Sequence, residues 1–82
     1  MRSTPGLHVE WVEDEAVVLD PLTRQLHYLN PAAAYFFALI QEYGLDNAVE
    51  RIDADYPAGT ALRDGLEAMA AEMREKGLLI DD

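Results

Sequence analysis

Apolar and polar residues alternate near the start of the chain, and this spacing predicts β-strands. Leu7, Val9 and Trp11 are separated by polar residues, which is the two-residue period of a strand buried on one face. Two further strands are predicted at residues 16–19 and 24–29. Their connections are short, so neighbouring strands run antiparallel and form a three-stranded meander. The third strand is then an edge of the sheet.

A longer stripe of apolar residues with helical spacing follows the third strand. Its members lie three or four positions apart and are Ala33, Phe36, Phe37 and Ile40. Asn30 and Pro31 predict where the helix begins, because the Asn side chain can accept a hydrogen bond from a free helical amide and Pro lacks an amide. Gly44 predicts its end. We therefore expect a helix over residues 31–43.

A second, shorter helix is predicted from apolar residues between positions 45 and 52. Asp46 is its expected cap, and the helix should end before Pro57. The Tyr-Pro-Ala-Gly segment at 56–59 has the composition of a loop.

A third helix is predicted from Thr60, as its cap, to about Lys76, with Gly77 as its terminator. Its apolar face consists of Leu62, Leu66, Met69 and Met73. Glu72 and Lys76 are four residues apart near its end, which predicts an ion pair. Residues 78–80 are apolar and are expected to return to the core.

The length of 82 residues predicts a single domain, 1–82, whose first six residues we expect to be flexible. Half of the residues are hydrophobic, which disfavours disorder. Strands followed by helices in a chain of this size predict a small α+β domain. No hydrophobic run has the length of a signal peptide or a membrane span, so we expect a cytoplasmic protein without a membrane partner.

Sixteen acidic residues against six basic ones give a net charge of −10. A field of this sign repels nucleic-acid phosphates and anionic lipid, and it favours a cationic or neutral partner, such as a basic peptide or enzyme. The simpler interpretation is a solvated acidic surface that keeps a small protein soluble.

The residues offer no set that predicts catalysis, a metal site or a cofactor. Cysteine is absent, which excludes disulfides and thiolate nucleophiles. His8 and His27 fall on separate predicted strands, and no ligand spacing accompanies them. The only serine, Ser3, is close to the N terminus, and no glycine-rich phosphate loop is present.

The region around the third strand resembles the small PqqD-like peptide chaperones, also called RiPP recognition elements. The residues that carry the resemblance are Leu19-Asp20-Pro21, Arg24 and Leu26-His27-Tyr28-Leu29-Asn30-Pro31-Ala32-Ala33. The resemblance implies a winged helix-turn-helix-like arrangement with the sheet first. It also implies non-catalytic binding of the leader segment of a ribosomally made precursor peptide, which adds as a strand beside the third strand.

The third strand is the first candidate site. Its only charged residue is at its start and it has no proline, so its edge is open to strand addition by another chain unless the protein's own terminus covers it. The third helix is the second candidate, although its apolar stripe can equally be core. Gly65 forms a shallow face with Ala61 and Ala68, and methionines adapt to varied ligands. The expected peptide-binding residues are Arg24, Gln25, Leu26, His27, Tyr28, Leu29, Gly65, Leu66, Met69, Ala70 and Met73.

Within the family, the chain looks most like the leader-binding proteins of lasso peptide pathways. That likeness implies two partner enzymes, a separate cysteine protease that removes the leader and a ring-closing enzyme. Maturation of pyrroloquinoline quinone or of mycofactocin are alternative pathways. A DNA-binding winged helix is a rival class, but six basic residues are too few for its phosphate contacts. A protein–protein adaptor is a second rival.

Overall fold

The structure, a computed structural model, describes residues 1–55 and 60–81. In chain order its elements are β1 (Arg2–Ser3), β2 (His8–Val12), β3 (Glu15–Asp20), β4 (Gln25–Leu29), α1 (Pro31–Tyr43), α2 (Leu45–Asp55), α3 (Thr60–Glu75) and β5 (Leu79–Ile80). Three strands precede three helices as expected, and the predicted α+β class is confirmed. The winged helix-turn-helix comparison stays a prediction. The loop predicted at 56–59 lies outside the described residues.

β2, β3 and β4 form one antiparallel sheet in sequence order. The register places Ala16 opposite Leu29 at one end of the β3–β4 pair. At the other end the chain turns at Asp20, whose carboxylate accepts a hydrogen bond from the Leu22 N–H at 3.0 Å. The predicted meander is therefore confirmed, and β4 lies at its edge.

Arg24 lies in this turn and not in the strand where it was expected. Its φ of 61° is in the left-handed region, and its N–H donates to the Asp20 carbonyl at 2.7 Å. A left-handed residue cannot continue an extended strand. The predicted start of the third strand is therefore wrong by one residue, because the hairpin uses Arg24 to bring the chain back alongside β3.

The first helix has the predicted bounds. The Asn30 side chain accepts a hydrogen bond from the Ala33 N–H at 2.9 Å, and Pro31 is the first helical residue. At the other end Gly44 has a φ of 80°, and its N–H donates to the Ile40 carbonyl at 2.7 Å. Asn30 as the cap and Gly44 as the stop are both confirmed.

The second helix begins at Leu45, so Asp46 lies in its first turn and the predicted cap is wrong. The carbonyl of Gly44 already accepts the first hydrogen bond of α2, from the Ala48 N–H at 3.0 Å. The Leu45 N–H donates instead to the Met1 carbonyl at 2.8 Å. One glycine thus ends α1 and starts α2, and there is no room for a separate capping residue.

The third helix starts at Thr60 and ends at Glu75, one residue before the predicted end. The Leu78 N–H donates to the Met73 carbonyl at 2.8 Å, and the Gly77 N–H donates to the Arg74 carbonyl at 3.1 Å. These two bonds, with a φ of 81° at Gly77, form a Schellman motif. Gly77 is confirmed as the terminator, and it turns the chain into β5.

Sequence patterns missed the strands at the two ends of the described chain. β1 and β5 pair antiparallel, with Arg2 opposite Ile80. Thr4 extends the contact, since its N–H donates to the Leu78 carbonyl at 3.0 Å and its hydroxyl donates to the Gly77 carbonyl at 2.6 Å. Flexibility of residues 1–6 stays a prediction, and two of these residues form this strand.

The core lies between the inner face of the three-stranded sheet, the helices and β5. Its largest fully buried side chains are Val18, Phe37, Ile40, Ile52, Leu66, Met73, Leu78 and Leu79. All four residues of the predicted α1 stripe are buried, and α1 packs against β3, β4, α2 and α3. α1 is therefore the central element of the domain.

Trp11 was expected on the buried face of the first predicted strand, but it is 48% exposed. Its register partner is the buried Ala16, so Trp11 belongs to the inner face. Within this sheet α1 packs against β3 and β4, which leaves the end of β2 less covered. In residues 1–55 and 60–81 no helix has the length and apolar character needed to cross a membrane.

Candidate functional site

The outer edge of β4 is one of two edges of this sheet that no strand within the described residues covers, the other being the outer edge of β2. β4 pairs with β3 on one side, and no segment within the described residues pairs with its other side. The N-terminal strand, which could have covered this edge, pairs with β5 instead. In an antiparallel ladder alternate residues direct their N–H and C=O groups away from the partner strand. β4 therefore offers a short row of backbone donors and acceptors to another chain.

The side chains of β4 divide between two faces. Leu29 is buried and His27 half-buried, and both lie on the inner face opposite residues of β3. Leu26 and Tyr28 lie on the outer face and are 68% and 61% exposed. Gln25 is exposed at the start of the strand. A chain added to this edge would therefore have apolar neighbours on both faces.

The Tyr28 hydroxyl donates a hydrogen bond to a Glu15 carboxylate oxygen at 2.7 Å, across the β3–β4 pair. This bond favours the neutral phenol and raises the pKa of Tyr28 above its ordinary value. Partial desolvation and the negative charges of Glu15 and Asp14 act in the same direction. The bond holds the Tyr28 ring over the outer face of the sheet.

A cleft of about 170 Å³ lies between the end of β4 and the C-terminal half of α3. The residues that line it are Tyr28, Leu29, Asn30, Ala33, Met69, Glu72, Met73, Lys76 and Leu78. Its floor is apolar, since Leu29, Ala33, Met73 and Leu78 are all buried. Its size suits one apolar side chain, and it opens directly beside the free edge of β4.

The structure separates the residues of α3 that were expected to contact a peptide. Met69 is half-buried and Met73 is 2% exposed, and both line the cleft. Leu66 and Ala70 are fully buried and belong to the core. The alternative interpretation, in which the apolar stripe of α3 belongs to the core, is therefore correct for Leu66 and Ala70. Whether any of the four contacts a peptide stays a prediction.

Gly65 lies against α1 and not in the cleft. A Cβ atom at this position would be 3.8 Å from the Cε2 atom of Phe36, which is ordinary van der Waals contact. Ala61 and Ala68, which were grouped with it as a shallow face, are exposed. The packing within the described residues thus gives no steric reason for a glycine in this helix.

His27 has a buried Nε2 atom with no hydrogen-bond partner among the described residues. Within the described residues no group of three or more His, Asp or Glu residues could hold a metal ion.

Sequence reasoning missed several residues that line the cleft. Asn30 was expected only as a helix cap, and Lys76 only as the end of a helix and the ion-pair partner of Glu72. The sequence did indicate that Lys76 shares a surface with the two methionines, since Met69, Glu72, Met73 and Lys76 have the spacing of one helical face.

The predicted ion pair between Glu72 and Lys76 does not form. The two residues are joined only by the backbone hydrogen bond from the Lys76 N–H to the Glu72 carbonyl, at 3.1 Å.

The fold and the open strand edge define a small α+β domain with a cleft beside a free strand. Residues 15–79 match the family described as coenzyme PQQ synthesis protein D (PqqD), and the chain belongs to this family. The resemblance drawn from the sequence is confirmed. No curated protein matches the sequence significantly.

One solved structure with the same fold is that of TbiB1 in complex with the TbiA(beta) leader peptide. The match covers 100% of both chains, with a TM-score of 0.77 and 22% sequence identity. At 22% sequence identity this similarity establishes a shared fold and nothing more.

Proposed function

We propose that this protein binds the leader segment of a ribosomally made precursor peptide by strand addition to the outer edge of β4. The observation that carries the proposal is the free edge of β4 beside a cleft with an apolar floor. Membership of the PqqD family and the same fold in a leader-peptide complex of TbiB1 support it. In this mode backbone hydrogen bonds supply affinity, and side-chain pockets supply selection.

The role is non-catalytic. A leader bound along β4 would be held extended, with one apolar side chain in the cleft between β4 and α3. Holding the leader raises the effective concentration of the attached core peptide near a partner enzyme. The partners that fit this role are a separate cysteine protease that removes the leader and, in a lasso peptide pathway, a ring-closing enzyme. We expect this work to take place in the cytoplasm.

The test is amide hydrogen exchange of the ¹⁵N-labelled protein with and without a synthetic leader peptide, taken from a short precursor sought among the neighbouring reading frames. Alternate amides of β4 should exchange quickly in the free protein and become protected when the peptide binds. Protection elsewhere, with β4 unchanged, would refute strand addition at this edge. An arbitrary DNA duplex should leave all amides unchanged, which distinguishes the proposal from a DNA-binding winged helix.

Affinity is best followed through a fluorescent label on the peptide. Trp11 is the only tryptophan, but β2 and β4 are separated by β3. At about 4.8 Å per strand, Trp11 is roughly 10 Å from the edge where the peptide would bind, so its emission is a weak reporter.

A further inference from the structure

Three of the six cationic side chains have a partner within the described residues. Arg63 forms an ion pair with Asp53, and Arg74 pairs with Asp81 at 2.5 Å. Arg51 lies over the Tyr43 ring at 4.2 Å, and Arg2 also has an interaction. The Arg24 and Lys76 side chains form no ion pair, hydrogen bond or ring contact within the described residues.

Both unpaired cations flank the free edge of β4. Arg24 is exposed and immediately precedes the strand, held there by its left-handed backbone conformation. Lys76 is exposed and lines the cleft at the other end, beside Leu29 and Asn30. Glu72 also lines this cleft but forms no ion pair with Lys76. The edge thus has a cation near each end, although the net charge of the chain is −10.

We infer that Arg24 and Lys76 select peptides that carry carboxylate side chains at two positions, one near each end of the segment added to β4. This inference rests on the proposed function and names the peptide class that the edge prefers. β4 has five residues, which span about 17 Å at about 3.4 Å per residue. An extended peptide therefore places its two acidic residues about four to six positions apart.

The first test is selection of binders from a random peptide library by the full-length protein. Wild-type binders should be enriched in Asp or Glu at two positions with this spacing. Arg24→Glu should replace one acidic preference by Lys or Arg, and Lys76→Glu should do so at the other position. Arg51→Glu is the matched control, since it changes the net charge equally in α2 and should leave the preference unchanged.

Hydrogen exchange of the selected complexes separates this inference from the proposed function. Binders that protect the β4 amides but show no acidic preference would overturn the inference and leave strand addition intact. Binders that leave the β4 amides unprotected would overturn the proposed function, as would a library from which nothing is selected.

The size of the effect is measured with one selected peptide. Arg24→Gln and Lys76→Gln should each weaken its affinity about two- to fivefold, as expected for exposed ion pairs. Replacing the matching peptide Glu by Gln should remove the effect of the corresponding variant in a double-mutant cycle. Equal losses for the Glu and Gln peptides would show that the two cations do not pair with the peptide. Thermal melting of each variant checks that the fold is unchanged.

Discussion

Met69 is the side chain that best tests the wall of the cleft. Met69→Asp places a carboxylate among buried apolar groups at the point where a peptide side chain would enter. We expect leader affinity to fall at least about tenfold, which corresponds to about 1.4 kcal/mol. Because Met69 is half-buried and not part of the core floor, the fold should persist. Fluorescence anisotropy measures the affinity, and circular dichroism checks the fold.

Leu62→Asp is the matched control for this variant. Leu62 is on the same helix, is 36% exposed and does not line the cleft. It should leave affinity unchanged. Equal losses of leader affinity in both variants, or no loss in Met69→Asp, would show that α3 does not contact the peptide.

Gly65 allows a prediction about stability. Glycine inside a helix costs about 1 kcal/mol relative to alanine, and an alanine Cβ would meet Phe36 at ordinary contact distance. Gly65→Ala should therefore raise the free energy of unfolding by about 1 kcal/mol, measured by urea denaturation. Leader affinity should not change, because the position is away from the cleft. A more stable variant with weakened binding would show that the peptide needs the open space at Gly65.

At the scale of elements, local signals determined what could be predicted. The bounds of α1 followed from Asn30-Pro31 and Gly44, since capping and termination depend only on neighbouring residues. β1 and β5 carry no such signal, because each has two residues and their partners are 78 positions apart in sequence, as in Arg2 opposite Ile80. The start of α2 was missed because one glycine serves two helices.

The candidate site, like the fold, was predictable only where local sequence patterns determine it. The edge position of β4 followed from the order of three short strands, and Met69 and Met73 followed from the helical period. The division of α3 between cleft and core could not be predicted, because Leu66 and Met69 are both apolar and differ only in what covers them. Lys76 was missed since a residue that ends a helix can still face a cleft.

The β3–β4 pair gives a pH-dependent prediction through Tyr28. The raised pKa means that the folded state holds the phenolic proton more tightly than the unfolded state. The stabilisation is therefore fully present below the ordinary tyrosine pKa of about 10, and it is lost as pH rises through the higher folded value. Tyr28→Phe should make unfolding less sensitive to alkaline pH in this range.

Ultraviolet titration of tyrosinate checks this assignment. Four tyrosines titrate in the wild type, and the one that is missing in Tyr28→Phe should titrate above pH 10. Glu15→Ala removes both the acceptor and the charge and should lower the pKa of Tyr28 toward its ordinary value. Unchanged titration in Glu15→Ala would show that the cross-strand hydrogen bond does not hold the proton.

At the scale of the whole molecule, the net charge of −10 and the two cations beside β4 act over different distances. The net charge acts on a peptide that is still approaching, within a screening length of about 10 Å at 0.1 M salt. Arg24 and Lys76 act mainly after docking. An acidic peptide is thus repelled at long range and held at short range, whereas a basic leader or a basic enzyme would be attracted at long range.

These two ranges predict that salt raises both the association and the dissociation rate of an acidic peptide, with opposite effects on its affinity. Raising the salt concentration should speed its association, because the long-range repulsion is screened, and should also speed its dissociation, because the local ion pairs weaken. Stopped-flow fluorescence of a labelled peptide measures both rates. In the double variant Arg24→Gln with Lys76→Gln the dissociation rate should no longer depend on salt, while association should still do so. Association of the native leader that slows with salt would instead indicate steering of a basic peptide by the acidic surface.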